Sequence, residues 1–304
     1  MDEKTEISLC DSLMTPHCLI DDQWRLTGTP IEPRRVKWKY LGGSQDCAAQ
    51  PLQIPIEEQE ITVFTDKDLF SPTVDAIKSK FKVGFLNECE EIHPWAYKDI
   101  SMVEHKFDFI ITHNEDLAKR EKFINYVGPG TTWITDEKAL VYDKTKLLSH
   151  IASKQNWAKG HRLRHVITEC IKGKYEVDLW GSAHRGFEKS EKFLPLKEYC
   201  FSITVMNADH KDYFTETLVD AFRCGTVPIF WGCKNVEDFF NEKGILRFNN
   251  PSELKKILDN LSMEQYHEML PYVKENFELA KNYIYLDDTV HDIIIKAING
   301  ESHV

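Results

Sequence analysis

Residues 212–232, DYFTETLVDAFRCGTVPIFWG, set Thr215 and Glu216 at the head of a short amphipathic helix. Phe214, Leu218, Val219 and Phe222 share one face of it, and Gly225 breaks the pattern before a buried-looking run from Val227 to Trp231. Thr is a usual cap residue, and an early Glu is favoured by the helix dipole. The same start can also do chemistry. N–H groups at a helix N-terminus suit a diphosphate, and a carboxylate beside them can accept from sugar hydroxyls. Cap and anion site both stand at this point.

A second candidate is Lys144–Thr168, KTKLLSHIASKQNWAKGHRLRHVIT, with six Lys/Arg, three His and no acid. Such a run is either a solvated face or an anion site. GPGTTW (128–133) is glycine-rich but lacks the GK[ST] and following helix of a phosphate loop, so it reads as a turn. His113, His150, His161 and His165 lack metal-ligand spacing and read as satisfied polar groups or neighbours of a phosphate.

The elements that must position these residues alternate. Residues 1–55 are broken by Pro16, Pro30, Pro33, Pro51 and Pro55 and read as irregular, apart from a strand at 36–41. After that come a strand at 60–66, a helix at 71–81, strands at 82–88 and 106–114, and a strand broken by turn residues at 125–134. A second series has strands at 146–153, 175–181 and 198–207, with a helix at 160–171. Helices at 250–261, 263–283 and 288–299 close the chain. This pattern predicts two Rossmann-like α/β domains with parallel sheets facing a cleft. The first spans 1–140 with an irregular N-terminal region. The second spans 141–304, with a C-terminal helix able to cross back to the first.

The chain has 304 residues, enough for two domains, and a hydrophobic content of 42% that indicates a packed protein. No run approaches the roughly 18 apolar residues of a membrane span, and the acidic start MDEKTEISLCD is unlike a secretory signal. Eight cysteines without a CxxC pair read as reduced thiols, so the expected location is cytoplasmic. The net charge of −11 argues against a protein that grips nucleic acid with its whole surface, though a local stripe is enough for a local grip.

From KEYCFSITVMN through DYFTETLVDAFRCGTVPIFWG the sequence resembles the α-1,3-fucosyltransferase family, glycosyltransferase family 10. There a strand leads to Glu-Asn-Ser, then a Tyr-x-Thr-Glu-Lys helix, then Gly-Thr-Val-Pro-Ile. Upstream, GHRLRHVITECIKGKYEVDLWG resembles the family's arginine-bearing helix and following strand, and FLNECEEIHPWAY…FDFIITHNEDL its first-domain segment. The resemblance covers roughly 60–250. It implies a GT-B type fold and an inverting, metal-independent transfer of fucose or a related sugar from a nucleotide-diphosphate donor to a glycan hydroxyl. The nucleotide sugar, GDP-fucose or a UDP-sugar, is then a co-substrate, with no cofactor needed.

Residue by residue, Glu88 matches the family's base, with Glu90 and Glu91 as alternatives. Arg164 matches the phosphate-binding arginine, with Arg162 as a substitute. Tyr213 and Glu216, next to Thr215, match donor-contacting positions, and Asn207 the Asn of Glu-Asn-Ser. Two positions depart. Thr217 stands where the family has Lys, deleting a cation near the diphosphate, and Met206 where it has Glu. Lys211, Lys159 or Arg185 could compensate.

Asp66-Lys67-Asp68 contains the Asp-x-Asp that chelates a metal in the other large glycosyltransferase fold; after a strand of this α/β layer it reads as a loop carboxylate pair. Three acceptor classes remain open. The first is a glycan. The second is hydroxymethylated DNA, as in phage-type enzymes, gripped by 144–168 and EPRRVKWKY (32–40) with the base flipped out. The third is a non-catalytic sugar-binding relic, motivated by Thr217 and Met206.

Overall fold

The computed structural model describes residues 3–44 and 48–301. It divides into two compact units, 1–127 with 285–304 and 128–284.

The first unit is built on an eight-stranded sheet: β1 (Thr5–Cys10), β2 (Leu19–Ile20), β3 (Gln23–Trp24), β4 (Val36–Gly42), β5 (Gln59–Thr65), β6 (Ser79–Leu86), β7 (Phe109–Thr112) and β8 (Phe123–Asn125). Their order is β2-β3-β4-β1-β5-β6-β7-β8, parallel throughout except for the small antiparallel edge of β2 and β3 beside β4. Two short helices, α1 (Thr73–Ala76) and α2 (Pro94–Asp99), follow β5 and β6.

The second unit has five parallel strands: β9 (Lys146–Ile151), β10 (Asp178–Trp180), β11 (Tyr199–Val205), β12 (Val227–Trp231) and β13 (Leu246–Arg247), in the order β10-β9-β11-β12-β13. Its helices are α3 (Lys159–Ile171), α4 (Leu194–Lys197), α5 (Glu216–Arg223), α6 (Pro251–Leu258) and α7 (Met263–Leu279). The last helix, α8 (Leu286–Ile298), returns to the first unit.

Strand periodicity explains the layers, because successive side chains leave opposite faces of a sheet. Ile61 and Val63 of β5 and Val83 and Phe85 of β6 face one core, which Leu286, Val290 and Ile294 of α8 complete. Phe64 and Leu86 go to the other core, with Val74, Ala96 and Tyr97. In the second unit Phe201, Ile203, Val227 and Ile229 pack with Ile167 of α3, Leu254 of α6 and Val273 of α7.

Three expectations need correction. The N-terminal region is not irregular: β1 is a central strand, paired with β4 on one side and β5 on the other. The helix expected over 71–81 shrinks to Thr73–Ala76, because Ser79 onward joins β5 as β6. The boundary lies at 127/128 instead of 140/141. Residues 132–140 are fastened to α5: Asp220 accepts from the Thr132 hydroxyl at 2.6 Å and from Trp133 N–H at 2.9 Å. The buried Arg223 donates to Ile134 O at 3.0 Å and pairs with Asp136 at 2.7 Å. At the other end, α8 belongs with the first unit. Its Asp287 accepts from Trp38 Nε1 at 2.7 Å and Leu26 N–H at 2.8 Å, and Asp288 accepts from the backbone of Arg34 and Arg35.

Candidate functional site

In an open α/β sheet, ligands bind beyond the carboxyl ends of the strands where the order reverses. In the second unit that point lies between β9 and β11, since the chain runs from β9 out to β10 and then back to the other side of β9. The start of α3 approaches the end of β11 very closely. Gly160 N–H donates to Asn207 O at 2.9 Å, and a Cβ on Gly160 would come 1.7 Å from the Met206 carbonyl oxygen. Only glycine fits. This contact aims Arg164, one turn into α3, at the end of β11. Its guanidinium donates to Val205 O and, at 3.2 Å, to Asn207 Oδ1. Burial pulls the Arg164 pKa down, while Glu216 and Tyr213 act in the opposite sense.

The loop from β11 to α5 is pinned where Asp212 takes a left-handed conformation (φ 57°), a shape Asp tolerates. Asn235 holds both its N–H (2.8 Å) and its carboxylate (2.7 Å). Thr215 caps α5 through a long 3.5 Å contact from Thr217 N–H. The Met206 sulfur receives Thr215 N–H at 3.3 Å, a weak acceptor for that donor. Gly232 leaves the space Met206 fills, since a Cβ there would sit 2.3 Å from its Cγ.

Glu216 Oε1 lies 3.0 Å from Lys192 Nζ, which also pairs with Asp220 Oδ2 at 3.1 Å. Burial opposes ionisation of Glu216, but Lys192 and the Thr217 and Thr215 hydroxyls outweigh it and hold the carboxyl below its usual range. Lys192 was missed from sequence because its segment carries no recognisable motif and its approach to α5 is a long-range event. Beyond β12 and β13 a cavity of about 100 Å³ is lined by Asp209, Trp231, Gly232, Lys234, Arg247 and Asn249.

The structure thus gathers Arg164, Asn207, Thr215 and Glu216 at the carboxyl ends of β9 and β11. Tyr213 is only 1% exposed and packs beside the His210 ring. Lys211 is exposed, and Arg162 is exposed and donates to Asn156 O and Trp157 O. Lys159 pairs with Asp209 at 2.8 Å, and Arg185 stacks on Trp180 at 4.2 Å.

The basic run does not form one stripe. Lys144 is half-buried, donating to Cys224 O at 2.7 Å and Thr226 Oγ1 at 3.0 Å, with its pKa pulled down to about 8 by desolvation. Lys146 pairs with Asp178 at 2.9 Å, and His150 is buried against Arg164 O, its pKa lowered to about 4 by desolvation. His161 Nδ1 accepts from Ala158 N–H at 3.2 Å, closing the start of α3. The 32–40 stretch is likewise engaged: Arg34 with Tyr285, Arg35 with Asp292, Lys39 with Gln59.

In the first unit the order reverses between β1 and β5, and carboxylates crowd the strand ends there. Asp66 is buried at φ 41° and accepts from the backbone N–H of Asn87 (3.0 Å) and Glu88 (3.1 Å). Tyr97 OH donates to Glu88 O at 2.5 Å, so the residue is held from two sides with its own side chain half-buried. Burial first, and the Glu88 charge second, push the Asp66 pKa well above the usual carboxyl range. Asp68 turns elsewhere, to the N–H and hydroxyls of Ser12 and Ser44. The two acids of the Asp-x-Asp therefore brace different loops. Glu90 is exposed and accepts from Asn114 at 3.3 Å.

Residues 141–285 match the family model "Glycosyltransferase family 10 (fucosyltransferase) C-term". Among characterised proteins, the 4-galactosyl-N-acetylglucosaminide 3-alpha-L-fucosyltransferase 9 of Rattus norvegicus and that of Homo sapiens are each 29% identical over 164 residues. These alignments cover 52% of this chain and 44% of the relatives' length, so the chain spans under half of the proteins it matches. Among solved structures, an alpha1,3-fucosyltransferase superposes with a TM-score of 0.51 at 16% identity, over 89% of this chain and 84% of the other. An alpha-glucosyltransferase in complex with UDP-glucose and DNA containing an abasic site gives 0.51 at 13%, over 78% and 80%. The fold is that of the GT-B glycosyltransferases, and the resemblance to family 10 read from the sequence holds, over a stretch that includes Arg164, Asn207, Tyr213 and Glu216. No helix among the described residues is long and apolar enough to cross a membrane.

Proposed function

We propose that this chain is a glycosyltransferase that moves fucose or a related sugar from a nucleotide-diphosphate donor to a hydroxyl of a glycan, by inversion and without a metal. The observation that carries the reading is the carboxyl edge of the second sheet, where Arg164, Asn207 and the head of α5 meet at the reversal of strand order. In this reading Glu88 takes the acceptor hydroxyl proton as the new C–O bond forms at the anomeric carbon. The bond from that carbon to the diphosphate breaks, and the departing charge is met by Arg164 and the helix start. Asp66 and Asp68 are already committed to backbone N–H groups and serines, which supports a reaction without an Asp-x-Asp metal. A DNA acceptor has less support, because most cations of 32–40 and several of 144–168 serve internal contacts.

The test is a panel of GDP-fucose, GDP-mannose, UDP-glucose and UDP-galactose, read by thermal shift and slow donor hydrolysis with a chelator present. A ligand at 100 times its dissociation constant stabilises the fold by about 2.7 kcal/mol, so a true donor is visible. A GDP-fucose response supports a fucosyltransferase that tolerates Thr217 and Met206. A response to UDP-sugars alone marks a switched donor and strengthens the DNA reading. Binding without hydrolysis or transfer favours the relic, and silence from every donor overturns the proposal.

A further inference from the structure

Asp66 and Asp68 serve backbone N–H groups and two serines, but the residue between them has no such employment. Lys67 is half-buried and makes no hydrogen bond or ion pair with any of the described residues. Glu88, Glu90 and Glu91 all stand in the loop after β6, and Lys67 pairs with none of them. A lysine withdrawn from water ordinarily gains a partner in exchange.

The loops after β5 and β6 lie side by side, because the two strands are parallel neighbours. Their contacts run in order. At one end Asp66 accepts from the N–H groups of Asn87 and Glu88; at the other Phe70 meets Trp95 edge to face, ring centres 4.8 Å apart. Lys67 and His93 come between. Burial first, and the Lys67 charge second, lower the His93 pKa to about 4, so this imidazole is neutral at pH 7. Cys89 O accepts from His93 N–H at 3.2 Å and turns the chain into α2. His93 is 6% exposed, yet its Nε2 has no hydrogen-bond partner among the described residues. Leaving such an atom unpaired is costly until a partner arrives. Trp95 is the opposite case, 40% exposed, with its ring centre 6.4 Å from that of His93.

One pair of loops therefore carries an exposed indole, an unpaired ammonium and an unpaired imidazole nitrogen, all close in the chain to Glu88 or to the Asp66 that braces it. An aromatic ring flanked by a few polar groups suits a sugar, whose C–H face packs on the ring while its hydroxyls go to the flanks. The ammonium adds a demand that a neutral sugar leaves unmet.

We propose that Trp95, His93 and Lys67 form an acceptor subsite beside Glu88 and that it takes an acidic sugar, a hexose bearing a carboxylate, sulfate or phosphate that pairs with Lys67. This rests on the transferase reading above, in which Glu88 receives the acceptor proton. Trp95 carries the sugar ring, His93 meets a hydroxyl, and Lys67 selects the charge. Asp66 and Asp68 do not compete for that ammonium, since each is already engaged.

The experiment compares methyl glucoside and methyl galactoside with the corresponding methyl uronides, which differ only by a carboxylate at C6. Binding is read by ligand-observed NMR titration without donor. The parent protein should bind the uronide of one pair about fivefold more tightly than the neutral glycoside, the order of a partly exposed ion pair. Lys67→Met keeps the apolar stem and should abolish that preference while neutral binding stays within about twofold; Lys67→Arg should keep it. Trp95→Ala should weaken both members alike, by about tenfold. Removing Lys67 strands no partner, so a thermal melt close to that of the parent is expected for its variants. Equal affinity for acidic and neutral members in the parent overturns the assignment, as does binding of neither pair. A preference that survives Lys67→Met, or undiminished binding in Trp95→Ala, overturns it too. The transferase reading is decided separately by the donor panel: silence there with the uronide preference intact overturns that reading and leaves the sugar subsite standing.

Discussion

The carboxyl edges of the two sheets share a topological device and differ in the side chains they collect. In each, strand order reverses and the polar residues collect at the reversal. The first unit brings acids there, and the second brings cations held by acids. The acids of the first are met by hydrogen-bond donors: Asp66 by two backbone N–H groups, Asp68 by Ser12 and Ser44, and Asp11 by the N–H groups of Leu13 and Met14. Asp11 still titrates high, near 6, because burial outweighs those donors. The cations of the second are held by acceptors, Lys192 by the carboxylates of Glu216 and Asp220, Arg164 by a strand-end carbonyl and Asn207. On the function proposed above, the difference is a division of labour. An acidic edge, where ionisation is costly, suits accepting a proton; a cationic edge suits receiving a leaving anion.

That division can be broken most directly at its two poles. Glu88→Gln should lower transfer about a thousandfold, within the range for a lost general base, while the donor dissociation constant moves less than about twofold. Initial rates and calorimetry on one preparation decide it, and equal loss of binding would collapse the distinction between the edges. Arg164→Ala is the counterpart. Donor binding should weaken by about thirtyfold, the order expected when a buried charged partner of an anion is removed.

A smaller effect sharpens the comparison through the backbone. Gly160→Ala forces a methyl against the Met206 carbonyl, so thermal unfolding should show a loss of about 2 kcal/mol, with donor affinity falling alongside because Arg164 shares that helix.

The smallest expected effect is confined to the first unit. Burial lifts the Asp287 pKa to about 6 despite donors from Leu26 and Trp38. The folded state thus binds this proton more tightly than the unfolded chain. The stability it contributes is complete below about pH 4 and is lost as pH rises through about 6. Asp287→Asn keeps an acceptor for Leu26 and Trp38 and removes the proton. Denaturation between pH 4 and 7 should show a flatter slope, by about 2 kcal/mol over the window, with donor binding unchanged.

How much of this was legible in the chain depends on how local each feature is. The strand at β5, the helix α3 and the succession β11, α5, β12 could be read from apolar period and turn residues, because their burial faces are written in adjacent positions. The strand β1 was hidden by prolines downstream, although Ile7 and Leu9 alternate about Ser8. The basic run misled in a different way. Its composition is cationic, but Lys144 and His150 fold inward and Lys146 and Lys159 find acids elsewhere in the chain, none of which is visible as spacing.

By itself, then, the sequence determined the α/β alternation, the helix start at Thr215–Glu216 and the family resemblance that singled out Arg164 and Asn207. Those depend on residue types at short separation, where propensity and motif are set. Tertiary structure alone decided that Lys192 meets Glu216 and Asp220, that Asp66 braces the loop of Glu88, and that α8 completes the core of the first unit. Each joins residues distant in the chain. Such contacts follow from which strands lie side by side, and strand order is a property of the folded sheet that no local stretch of sequence contains.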